Sequence, residues 1–229
     1  MNFFKFAWSI LPRLLDATTI TLELTACSIV LGFIVGVVLA LGRVYGNRPI
    51  RFTSNVYIQF FRGTPLLVQL LLIYYGLPAY LTTLGIRLSP LTAAIIGLGL
   101  NSAAYQAEYF RGAIQSIQMG QMMAARAMGM SKIRAIRHVI LPQAFRIVIP
   151  SWSNELIYSI KYSSLAYFLS LAELTFTGKK IVAHTARTFE TYIIVALIYL
   201  AIVIVVSRLL AMLEKHVRVP GLGANAEHH

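Results

Sequence analysis

Apolar residues run through this chain in long charge-free windows, without the one-sided or alternating patterns of a water-soluble domain. Residues 24–42, 63–86, 88–107 and 191–207 contain no Asp, Glu, Lys or Arg, and the last window stays apolar past Arg208 to Leu213. A fifth stretch, 147–172, is as long but carries Glu155 and Lys161. A helix needs about 20 largely apolar residues to cross a bilayer. The pattern therefore predicts an all-α integral membrane protein with five transmembrane helices. Residues 3–12 read as a short amphipathic helix on the membrane surface. The division expected is a surface segment over 1–16, a five-helix domain over 17–217 and a flexible tail over 218–229. Asp16 and Glu23 interrupt the region before a first window of full spanning length, which does not suit a cleavable signal peptide.

Composition supports the same class. Hydrophobic residues make up 58% of the 229 positions and charged residues only 12%, with a mean hydropathy of +0.71. A soluble domain carries about twice that share of charge. The net charge of +12 would suggest nucleic acid in a soluble protein, but the chain has no aromatic RNA-reading motif and no unbroken basic tract. The charges instead divide across the spans. Arg43, Arg48, Arg51, Arg62, Arg111, Arg126, Lys132, Arg134, Arg137, Arg146, Arg208, Lys215 and Arg218 fall on one side. Lys5, Arg13, Arg87, Lys179, Lys180 and Arg187 fall on the other. The positive-inside rule makes the richer side cytoplasmic, with the N-terminus outside and the C-terminus inside. Cys27 is the single cysteine, so no disulfide framework exists.

The longest non-membrane stretch, 112–142, with its loop over 116–142, is expected to be ordered. Gln121 to Met128 are strong helix formers, Gly120 precedes them, and Gly129 stands where a left-handed residue closes a helix. Ser131 can cap a second short helix running to Arg137, and Pro142 suits the first turn of the next span. Two readings of the loop follow from physics: a surface that docks on a partner, or a helix that lies on the membrane with its basic residues in water.

The stretch from Gly120 through Gln121, Met122, Met123, Ala124, Ala125, Arg126, Ala127, Met128 and Gly129 to Ser131, followed by Ile140-Leu141-Pro142, resembles the EAA loop of membrane subunits of ATP-binding cassette importers. Phe61-Arg62-Gly63-Thr64-Pro65-Leu66-Leu67-Val68-Gln69 is similar to the signature of the polar amino acid branch, and Asn101 to Glu108 with Arg111-Gly112-Ala113-Ile114 to its third span. The likeness covers about residues 15–217, closest to permeases for histidine, arginine, glutamine or cystine. It implies the type I importer permease fold and a bacterial inner-membrane location. It also implies partners: a second permease chain, identical or paralogous, two ATPase subunits that bind ATP and Mg, an external solute-binding protein and a polar amino acid. Gly120, Gln121, Met123, Ala124, Ala125, Arg126 and Gly129 become the candidates for ATPase coupling. The chain departs from the family at Met123, where the EAA triplet has Glu, and at Tyr162 of Lys161-Tyr162-Ser163-Ser164-Leu165, where the family has Asp.

Ionisable residues inside spans are functional candidates because burying their charge costs several kcal/mol. Asn101, Tyr105 and Glu108 recur at i, i+4 and i+7, and so do Asn154, Tyr158 and Lys161, with Glu155 beside Asn154. Two such faces offer carboxylates to an ammonium group and amide or hydroxyl donors to a carboxylate, which suits a zwitterionic solute. Structural alternatives stand beside this reading. Glu108 can pair with Arg111, Glu155 with Lys161, and the Asn residues can hydrogen-bond between helices. Tyr74, Tyr75 and Tyr80 suit an interfacial belt, Gly32 and Gly36 a close helix crossing. Glu173 and Glu190 suit the outer rim, solvated or functional. No phosphate-binding Gly-rich loop with Lys-Ser/Thr is present, and no His-x-x-x-His pair or Ser-His-Asp set supports enzyme chemistry. The rival reading is a self-contained secondary transporter or channel, against which the chain shows no internal repeat.

Overall fold

The structure, a computed structural model, describes residues 2–81 and 87–217; the expected tail over 218–229 lies outside them. The described residues form helices and connections with no strand. The first helix, α1 (Phe3–Tyr45), is continuous over 43 residues. Residues 3–12 are thus its first turns and not a separate surface helix. Phe6, Ile10 and Leu14, spaced at i, i+4 and i+8, are buried against Leu174, Ile181, Ile194 and Val195. Asp16 and Glu23 sit at exposed positions of α1, so charge there does not mark a helix end.

A capped turn follows. The Asn47 side chain accepts from the Ile50 N–H at 3.1 Å, with Pro49 in the first turn of α2 (Arg48–Gly63). At Thr64-Pro65 the chain bends by 105° into α3 (Leu66–Leu71), a π turn over Leu72–Gly76 and α4 (Pro78–Leu81). The window 63–86 therefore opens on a corner, not on a straight span. Next comes α5 (Pro90–Ser116), capped by Ser89, whose hydroxyl accepts from the Thr92 N–H at 3.1 Å. The loop follows as α6 (Met119–Ala127) and α7 (Lys132–Ala135), joined by a π turn over Ile136–Ile140 to α8 (Leu141–Tyr162). The window 147–172 is not one straight helix either. It tightens to a 3₁₀ segment over Ser163–Leu169 and turns at Ser170 before α9 (Leu174–Thr185) and α10 (Thr188–Val217).

Among the described residues α1 and α10 are long and apolar enough to cross a membrane, and the bent α2–α4 stretch can make a third crossing. At 27 and 22 residues, α5 and α8 have the length but a more polar composition. The centre is the crossing of α1 with α5. A Cβ on Gly32 would stand 2.6 Å from Gln106 Nε2, and one on Gly36 would stand 2.9 Å from the Gln106 Cβ and 3.1 Å from the Ala103 carbonyl. Small residues let backbones approach this closely, which is how membrane helices gain packing energy without help from water.

Candidate functional site

The polar residues of α5 divide between two neighbours. Ser102, Gln106 and Tyr109 face α8. Ser102 Oγ donates to Glu155 Oε1 at 2.7 Å, and Tyr109 lies close to the same carboxylate. Gln106 Nε2 donates to Ser102 Oγ at 3.0 Å and to the Ile29 carbonyl at 3.3 Å, while Trp152 Nε1 donates to Gln106 Oε1 at 3.0 Å. Glu155 is only 5% exposed, and Ser102 and Tyr109 are both neutral. A buried carboxylate held this way lacks the countercharge that would offset its desolvation.

Around it lie aromatic side chains. Tyr158 and Tyr162 stack with centroids 6.1 Å apart, both open to the surroundings, and Lys161 Nζ sits 4.3 Å from the Tyr158 ring centre. Lys161 thus engages a ring face, and among the described residues no ion pair joins it to Glu155. Asn154 is exposed beside this group.

Asn101, Tyr105 and Glu108 turn elsewhere. Asn101 Nδ2 donates to the Phe61 carbonyl at 3.1 Å and to Gln69 Oε1 at 2.9 Å. Gln69 Nε2 in turn donates to the Phe61 and Thr64 carbonyls at 2.9 and 3.0 Å and to Thr64 Oγ1 at 2.7 Å. These amides serve carbonyls at the end of α2, where Pro65 has no N–H to offer. Asn101 is a corner residue. Glu108 is held by Arg43, by Arg111 at 2.8 Å and, more loosely, by Arg62 at 3.7 Å. It is not the unpaired carboxylate that an ammonium group would need. Tyr105 lies under the Arg62 guanidinium, 5.3 Å from its ring centre. So the seven expected residues do not form one site. Glu155, Tyr158 and Lys161 cluster with Asn154 on α8, while Asn101, Tyr105 and Glu108 belong to the α2–α5 boundary. The sequence reading missed Ser102, Gln106 and Tyr109, which repeat at i, i+4 and i+7 one step round the same helix.

The loop forms a hook. Met128 N–H donates to the Ala124 carbonyl at 3.0 Å, Gly129 to Arg126 at 3.0 Å and Met130 to Ala125 at 3.1 Å, with Gly129 at φ +82°. Ser131 Oγ accepts from the Arg134 N–H at 3.3 Å and so caps α7, and the Arg126 side chain donates to the Met130 carbonyl at 3.4 Å. Of the expected coupling residues, Ala125 is buried inside the hook, and Gly120, Gln121, Met123, Ala124, Arg126 and Gly129 are exposed. Met119 and Met128 are each 82% exposed, with Ile133 and Met123 beside them. The hook thus presents an exposed apolar surface.

Glu173 is a correction. It is fully buried, accepts from the Thr175 and Phe176 N–H groups at 2.9 and 2.7 Å, and accepts from the Tyr199 hydroxyl at 3.0 Å. It caps α9 and is not solvated.

A family model described as a binding-protein-dependent transport system inner membrane component matches residues 28–219. The chain is 41% identical over 216 residues to the probable amino-acid permease protein YxeN of Bacillus subtilis, covering 94% of this chain and 96% of that one. It is 37% identical over 212 residues to the glutamine transport system permease protein GlnP of Escherichia coli, covering 93% and 96%. Among solved structures, a chain from the crystal structure of an amino acid ABC transporter with histidines superimposes with a TM-score of 0.83 at 37% identity, covering 94% of this chain and 99% of that chain.

Proposed function

Because this chain belongs to the family of binding-protein-dependent transport system inner membrane components, we propose that it lines the translocation pathway of an ATP-driven importer whose solutes are polar amino acids. It is a multi-pass protein of the bacterial plasma membrane with the type I importer permease fold. In this reading an external binding protein delivers the solute, and the pathway opens to one side at a time. Separate ATPase subunits hold ATP and Mg and drive the cycle through the 120–138 hook. A second permease chain, identical or paralogous, supplies the other half of the pathway. The relatives named for amino-acid and glutamine transport support the solute class.

The observation that carries the solute assignment is Glu155, a buried carboxylate hydrogen-bonded by the Ser102 hydroxyl, with Tyr109 close by and no cation paired with it among the described residues. A solute ammonium or other cationic group supplies the missing charge, with the stacked Tyr158 and Tyr162 offering ring faces to it and Asn154 a neighbouring amide. A charge-assisted hydrogen bond contributes about 1.5–3 kcal/mol. Glu155→Gln keeps the shape and the Ser102 contact but removes the charge. Uptake into proteoliposomes holding the complete transporter is expected to lose about ten- to hundred-fold in apparent solute affinity, with assembly unchanged. Unchanged affinity would make Glu155 a structural residue and remove the solute assignment.

A further inference from the structure

At the corner where α1, α2 and α5 meet, three guanidinium groups converge on one carboxylate, and beside them opens a cavity of about 450 Å³. Its polar lining is Arg43, Asn55, Gln59, Arg62, Tyr105 and Glu108. The volume lies within the range of small-molecule sites. Arg43 and Arg111 hydrogen-bond Glu108 directly, whereas Arg62 stays at 3.7 Å with a half-exposed side chain. One carboxylate against three guanidinium groups leaves two positive charges in excess. The other described acids are placed elsewhere. Asp16 and Glu23 lie on the first half of α1, Glu155 on the Ser102 hydroxyl, Glu173 on the α9 cap, and Glu190 and Glu214 on α10. An excess of this kind beside a cavity is a seat for an anion, and the Arg fork matches a carboxylate in two-point geometry.

A second feature narrows the ligand. Asn55 lines the same cavity, and its Oδ1, shielded from solvent, has no hydrogen-bond partner. A buried acceptor in that state lacks a donor, and a simple anion brings none. A molecule with a carboxylate next to an N–H group has one function for Arg62 and one for the Asn55 amide, which line the same cavity. Tyr105 lines the cavity one helical turn from Tyr109 on α5, and Tyr109 lies close to Glu155, so the cavity adjoins the Glu155 cluster.

We infer that the cavity beneath α2 is a second solute station, where Arg62 takes the α-carboxylate of an amino acid and the Asn55 amide, turned so that its oxygen faces the cavity, accepts from its ammonium group. The inference rests on the reading that amino acids pass through this chain. Glu108 is then the internal carboxylate that holds the arginines when the solute is elsewhere. Arriving solute competes with Glu108 for Arg62, which links occupancy to the contact between α2 and α5.

The test uses the complete permease–ATPase complex in phosphatidylcholine nanodiscs. Saturation-transfer NMR follows propionate, which carries only the carboxylate, and propylammonium, which carries only the cation. The expected result is propionate binding that weakens at least about tenfold in Arg62→Gln, while propylammonium binding responds to Glu155→Gln and not to Arg62→Gln. Gly63 lines the cavity and a Cβ there meets nothing within 4 Å. Gly63→Leu therefore adds bulk at the cavity wall where its Cβ has room, and it too should weaken propionate about tenfold if Arg62→Gln fails to assemble. Propionate binding unchanged in Gly63→Leu or in Arg62→Gln overturns the station. So does the absence of propionate binding together with a phosphatidylglycerol that co-purifies with wild type and is lost from Arg62→Gln, because the arginines would then hold a lipid headgroup. Amino-acid uptake by proteoliposomes reports separately on the transport reading. Uptake without propionate binding sinks the station alone, and propionate binding without uptake of any amino acid sinks the transport reading.

Discussion

Gly129 and Ala186 stand in the same left-handed backbone region and illustrate opposite relations between residue type and conformation. Gly129 has φ +82° and an added Cβ there meets nothing within 4 Å, so the cost of a substitution lies in the backbone. A β-branched residue in that region costs about 1–3 kcal/mol, enough to open the three hydrogen bonds that close the hook. Gly129→Val is expected to insert normally but to lose co-purification of the ATPase, or its stimulation by solute-loaded binding protein; full stimulation would show that the hook's shape is not what couples. Ala186 ends α9 at φ 55°, its N–H donating to the Val182 carbonyl at 2.8 Å. An L-residue in that region costs about 1–2 kcal/mol, partly offset by the greater entropy that glycine loses on folding. Ala186→Gly should therefore stabilise the protein by up to about 1 kcal/mol, visible as a higher melting temperature in detergent. A lower one would mean that the Ala186 methyl packs more usefully than its strain costs.

At the scale of elements, the corner between α2 and α3 shows what the polar residues of α5 do. Asn101 and Gln69 together serve the carbonyls of Phe61 and Thr64. Asn101→Ala leaves Gln69 Oε1 without its donor, and an unsatisfied buried polar group costs about 1–3 kcal/mol. The expected outcome is a melting temperature several degrees lower, with Arg62 displaced from Glu108. Wild-type stability in that variant would mean that water or a shifted Gln69 replaces the amide. The long apolar stretches made the apolar parts of α1, α5, α8 and α10 legible, because they report where a helix can face lipid. The same signal is blind to helix ends. It placed the start of α1 too late, since exposed Asp16 and Glu23 do not interrupt backbone hydrogen bonding. It also ran straight through Pro65 and Ser163, where the chain bends. In the hook, glycine and serine chemistry located the turn at Gly129 and the cap at Ser131, because those depend on neighbours within four residues. The site was less legible. Spacing on α5 identified a polar helix but not its rotation, and a step of one residue moves the α8-facing set from Asn101, Tyr105 and Glu108 to Ser102, Gln106 and Tyr109. Nothing in the sequence ties Arg43 to Glu108, 65 positions apart.

Across the whole molecule, charge and apolar surface are arranged on different axes, and this makes the orientation testable. Outward-facing Val30, Ile34 and Val38 on α1 and Leu200, Ile204 and Val205 on α10 are exposed, as residues in contact with lipid are. The Lys and Arg residues concentrate at one end, around α6, α7 and the connection from α1 to α2. If that end is cytoplasmic, the hook meets the ATPase inside, and the connection from α9 to α10 faces the binding protein outside. Because Cys27 is the only cysteine, Cys27→Ser gives a background without thiols. Into it Met128→Cys and Thr185→Cys can be placed singly, both at exposed positions. A maleimide that does not cross membranes should label Thr185→Cys in intact cells and Met128→Cys only after the membrane is opened. Met128 stands at the tip of the hook, where a smaller side chain removes apolar contact area but no backbone contact, so Met128→Cys should remain inserted. Labelling of Met128→Cys from outside intact cells would reverse the orientation. It would also separate the hook from any cytoplasmic ATPase, whatever its shape suggests.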